Sequence, residues 1–142
     1  MTTRVIYATM TRHSKKLAEA IAKNLDVKAE NIKGAPILKD VDLLFIVGGI
    51  YGGESLPALL DFVRHLDSGA VKRAALITSC TSQKQGQRAV GSLLEEKGID
   101  VLGEIICQGS FLFMGFGHPN QADVDEVVRF ARSLAEEVGA ST

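Results

Sequence analysis

What the sequence lacks narrows its possibilities before any motif is read. There is no tryptophan, and the aromatic share is only 6%. Two cysteines, Cys80 and Cys107, are too few for a disulfide framework, and their spacing fits no metal motif. Three histidines, His13, His65 and His118, lie far apart, so no histidine cluster can be read. Neither sign of charge dominates: the net charge is -1 and the basic residues are scattered, which argues against nucleic acid. The longest apolar stretch, Leu43 to Gly53, is about half of a membrane span. Met1-Thr2-Thr3-Arg4 runs straight into an apolar strand without a signal-peptide core. The expectation is a cytoplasmic protein with no structural metal, no membrane contact and no nucleic-acid partner.

What is present suits one globular domain spanning residues 1–142, 46% hydrophobic and 23% charged. Strand-like runs at Arg4–Thr9, Val27–Ile32, Leu43–Val47, Ala74–Cys80 and Val101–Gln108 alternate with helical patterns. The helices are expected at Ser14–Leu25, Pro57–Leu66, Gln87–Lys97 and Asp123–Val138, the last with Asn120 as its N-cap. Apolar stripes are predicted at Leu17, Ala18, Ile21 and Leu25, at Ala89, Val90, Leu93 and Leu94, and at Val124, Val128, Ala131, Leu134 and Val138. Strict β/α alternation implies a parallel sheet with helices on both faces. The first, third and fourth runs are nearly continuous in apolar residues, as central strands must be. The second carries Lys28 and Glu30, and the fifth is interrupted by Gly103 and Glu104, so both suit edges. The order 2-1-3-4-5 satisfies this and puts a topological switch point between the first and third strands, where a ligand belongs.

The first strand is followed by Thr9-Met10-Thr11-Arg12-His13-Ser14 and then a helix. Hydroxyl groups thus converge with helix N-terminal amides at the positive end of the helix dipole. By themselves these residues suit a helix cap and a phosphate site equally. There is no Gly-Lys-Ser/Thr ending and no glycine in the turn, so neither a P-loop nor a dinucleotide fingerprint is present.

The segment Val5 to Ile21, around this turn, resembles the flavodoxin signature, in which a Ser/Thr-x-Thr-Gly-Asn-Thr loop wraps the phosphate of FMN. Thr9, Thr11 and Ser14 match its hydroxyl positions, and Ala18 and Ile21 match its helix. Arg12 stands where glycine is usual and His13 where asparagine is usual. Either could supplement the phosphate contacts; equally, Arg12 could reshape the loop against FMN.

Further segments extend the resemblance. Gly49-Ile50-Tyr51-Gly52-Gly53 is similar to the family's loop along the isoalloxazine ring, with Tyr51 in the place of a stacking aromatic. In flavodoxins a peptide of this loop flips on reduction, which here would fall between Tyr51 and Gly53. Ser79, Cys80 and Thr81 correspond to the loop that gives backbone contacts to the flavin's pyrimidine edge. That loop has no aromatic, so the second ring face is expected open or covered by Phe111, Phe113 or Phe116. Gly117-His118-Pro119-Asn120 resembles a segment before the final helix of several such proteins. Cys80 and Cys107 are read as buried free thiols rather than a redox pair.

The resemblance implies a flavodoxin-like three-layer sandwich that binds FMN and passes electrons between redox partner proteins, with no catalytic residue of its own. Glu54, Asp61 and Asp67 would supply a local acidic rim for docking. The alternatives are an FMN-dependent reductase taking electrons from NAD(P)H to a quinone, and a binding module of this fold that has lost FMN. A phosphate-accepting receiver is excluded by the lack of acidic residues after the first and third strands. A low-molecular-weight phosphatase is excluded by the lack of a cysteine after the first.

Overall fold

The computed structural model describes residues 2–8, 12–51, 54–80, 87–108 and 121–141, with backbone alone at 12, 13, 50, 51, 54, 80, 107, 108, 121–123 and 141. In chain order the elements are β1 (Thr3–Ala8), α1 (Arg12–Asn24), β2 (Ala29–Asn31), a 3-10 turn (Ile32–Gly34), β3 (Val41–Tyr51) and β4 (Glu54–Ser55). They continue with α2 (Pro57–Arg64), β5 (Val71–Cys80), α3 (Arg88–Glu96), β6 (Asp100–Gln108) and α4 (Gln121–Ser141). The sheet runs β2-β1-β3-β5-β6, all parallel, so the expected five-stranded order is the observed one. The additional β4 folds back antiparallel on the end of β3.

Burial explains the arrangement. Val5, Ile6, Leu43 to Val47, Ala74, Ala75 and Ile77 are fully buried, because helices cover both faces of the middle strands. Alternate residues feed two cores. Ile6, Leu44, Ile46, Ala74 and Leu76 pack with Leu59 and Val63 of α2 and Val90 and Leu94 of α3. Val5, Tyr7, Phe45, Val47 and Ile77 pack with Leu17, Ala18 and Ile21 of α1 and with Val127, Ala131 and Val138 of α4.

Several expected boundaries move. β2 is shorter than Val27–Ile32, for local reasons at both ends. Val27 N–H is bound to Ala22 O of the helix terminus. At the far end Asn31 caps the 3-10 turn by accepting Lys33 N–H on its side chain. Ala89 is exposed rather than inward, and the fully buried valine of α4 is Val127, not Val128. Both errors come from choosing neighbours one step off the centre of a helical stripe. Arg4 of β1 fastens the short edge strand through a two-pronged contact with Glu30, at 2.8 Å from Nε and from Nη2.

Candidate functional site

The carboxyl ends of β1, β3 and β5 lie side by side, aligned by the register Ala8 with Gly48 and Gly49 with Ser79. The β1/β3 boundary is where strand order reverses, with α1 following β1 and α2 following β3, and ligands of open α/β sheets bind at such a point. α1 starts at Arg12, and its opening amides have no partner inside the helix. No acidic residue occupies its first turn to oppose an anion. Ser14, the third helical residue, is fully buried, and its Oγ has no hydrogen-bond partner among the described residues. A buried hydroxyl is normally paired. An unpaired one at the positive end of a helix suits a phosphate oxygen, which can take both its proton and the amide protons.

The remaining predicted site residues divide between described and undescribed segments. Arg12 and His13 form the first turn of α1. Gly49 is buried at the end of β3, and Ser79 lies beside it on β5. Ile50 and Tyr51 pair with Ser55 and Glu54 in the hairpin that closes β3. Thr9, Met10, Thr11, Gly52, Gly53 and Thr81 lie outside the described residues, as do Phe111, Phe113, Phe116 and Asn120. Cys80 stands opposite Gln108 and Cys107 opposite Ser79, so the two cysteines are not cross-strand partners. Asp61 is ion-paired with Arg64 at 2.9 Å, and both side chains remain exposed.

A polar cluster that the sequence reading missed spans the same strand ends. Gln87, the N-cap of α3, is fully buried. Its Nε2 donates to Ile77 O and to Thr78 Oγ1, both at 3.1 Å. Its backbone N–H donates to Glu104 Oε2 at 2.8 Å, and Thr78 Oγ1 donates to the same oxygen. Ile77 O can only accept, which fixes the amide nitrogen on that side. Gln87 Oε1 therefore faces β3, and a Cβ added at Gly48 would lie 2.9 Å from it. Oε1 has no hydrogen-bond partner among the described residues. The only signal in the sequence is Glu104, a carboxylate inside an apolar strand, which by itself suits a sheet edge.

Among the described residues no group of three or more His, Cys, Asp and Glu side chains is placed to hold a metal, and no helix is long and apolar enough to cross a membrane. Among the described residues, the carboxyl with a shifted pKa lies at the other end of the sheet. Asp42 is held below the usual aspartate range by the Thr2 N–H, 2.7 Å from Oδ2, with Lys72 adding to the effect from 3.4 Å.

Comparison with known proteins matches residues 4–104 to the model of a family described as a flavodoxin domain. An uncharacterized protein of Methanocaldococcus jannaschii is 28% identical over 136 residues, covering 87% of this chain and 90% of that one. Among solved structures, oxidised flavodoxin 2 of Bacillus cereus superposes with a TM-score of 0.71 at 19% identity, over 96% of this chain and 99% of that one. General stress protein 14 of Treponema denticola, solved in complex with FMN, superposes with a TM-score of 0.58 at 16% identity over 100% of both chains.

Proposed function

Because the chain belongs to the flavodoxin domain family, matched over residues 4–104, we propose that it binds FMN and serves as an electron carrier between redox partner proteins. The observation that carries the reading is the Ser14 hydroxyl, buried at the mouth of α1 with no hydrogen-bond partner among the described residues. Ser14 Oγ would donate to a phosphate oxygen, and the opening amides of α1 would supply further donors along a favourable dipole. Thr9, Met10, Thr11, Arg12 and His13 complete the same turn in sequence. The flavin ring would lie beyond β3 and β5, against Gly49, Ile50, Tyr51, Gly52 and Gly53 on one side and Ser79, Cys80 and Thr81 on the other. Bound there, FMN supplies a group that can be reduced and reoxidised without any residue of the chain reacting. The protein's part is to hold the phosphate, orient the ring and set how strongly each redox state is bound.

The test is direct. Protein purified with added FMN should keep flavin absorbance through gel filtration and take up electrons in a reductive titration. Steady turnover of NAD(P)H with a quinone would assign the reductase function instead. Loss of all flavin on the column would reject the cofactor. Arg12→Ala is expected to weaken FMN and to flatten the salt dependence of binding, as removal of a cation near a phosphate must. Unchanged affinity and slope would take Arg12 out of the site.

A further inference from the structure

We propose that Gln87 is a positioning residue that fixes the spacing of the β3 and β5 ends at Gly49 and Ser79 and thereby the fit of the flavin ring against them. The inference rests on the FMN reading above but concerns residues on the opposite face of the sheet from Ser14.

Gln87 reaches both strand ends at once. Its carboxamide nitrogen is bound to Ile77 and Thr78 of β5, and its carboxamide oxygen rests on Gly48 of β3. Those contacts lie immediately before Gly49 and Ser79, the paired residues from which the two segments depart. Gln87 is itself held from outside. Glu104 of β6 accepts its backbone N–H and the Thr78 hydroxyl on one oxygen. The side chain thus joins β3 to β5 at the start of α3, and the backbone of the same residue joins β6. Leu or Met at this position would fill the space equally well, so packing alone does not call for a carboxamide. The amide also leaves a buried acceptor, Oε1, without a hydrogen-bond partner among the described residues. Such an atom is costly to keep, and it constrains β3 to a residue without a side chain at position 48. Arg88 follows at once, so the same anchor fixes where α3 begins.

The experiment compares wild type, Gln87→Met, Thr78→Val and, as a packing control, Leu94→Ala. Leu94 is fully buried in α3 but has no part in the polar cluster. FMN affinity is measured by fluorescence titration, stability by urea unfolding, and amide hydrogen exchange on the flavin-free proteins. Gln87→Met should weaken FMN about tenfold, with exchange faster at Gly49 to Tyr51 and at Ser79 and Cys80 but not in β1. Thr78→Val should do the same more mildly, by about threefold. Leu94→Ala should lower stability yet leave FMN affinity within about twofold. If Gln87→Met binds FMN like wild type, or if Leu94→Ala weakens FMN as much, the positioning role is overturned while the FMN reading stands. Wild type that binds no FMN would overturn both.

Discussion

Ser14 keeps a polar atom buried with no described protein partner, a condition that costs about 1–3 kcal/mol. Ser14→Ala is therefore expected to leave the flavin-free protein at least as stable as wild type in urea. The same substitution should weaken FMN by about 10- to 100-fold, the worth of a hydrogen bond to a charged group, roughly 1.5–3 kcal/mol. A fluorescence titration beside an unfolding curve separates the two effects. Asp42 behaves oppositely, since its partner is already present. Its carboxyl sits below the ordinary aspartate range because Thr2 N–H binds the ionised form. A depressed folded-state value means that the unfolded chain takes up the proton first. The contribution is fully present above about pH 4, the unfolded value, and is lost as pH falls through the lower folded value. Asp42→Asn should flatten that acid limb in unfolding midpoints measured from pH 5 to 2, and leave the profile above pH 5 unchanged.

Among the elements, the C-terminal half of β3 bears the tightest constraint. Gly48 lies between Gln87 Oε1 and Leu59 Cδ2, at 2.9 and 3.0 Å from where a Cβ would stand. Both neighbours are fixed, one by hydrogen bonds and one by burial at 1% exposure. Gly48→Ala should cost about 1–3 kcal/mol in urea unfolding through overpacking. The sequence shows glycines ending this strand, and the resemblance assigns those from Gly49 on to a loop along the flavin ring. At position 48 the approaching group is a glutamine of the same chain. The α1 stripe and the continuous apolar strands were legible because 3.6- and 2-residue periods translate directly into buried faces. β4 was not, since a two-residue strand leaves no period to read. The Gln87 cluster was hidden for another reason. It joins residues 78, 87 and 104, whose proximity exists only after the sheet is assembled. Around the turn that precedes α1, the sequence places the Ser14 hydroxyl at the helix mouth, and Ser14 is the third helical residue. Its complete burial and lack of a partner emerge only from packing against the sheet.

At the scale of the whole molecule, β3 is the shared wall of both cores, supplying Leu44 and Ile46 to one and Phe45 and Val47 to the other. Phe45→Ala, at a fully buried position, should therefore lower unfolding free energy by about 3–5 kcal/mol and narrow the margin of the entire domain rather than of one layer. The two borders of the sheet are unequal. β2 has three residues and is braced by Arg4 and Glu30, whereas β6 has nine and places Leu102 outward at 38% exposure. Among the described residues no strand pairs along the outer side of β6. In concentrated solution, self-adhesion would thus proceed through a single flank. Two copies joined there would leave only the three-residue β2 at each outer border, a short template for a third copy.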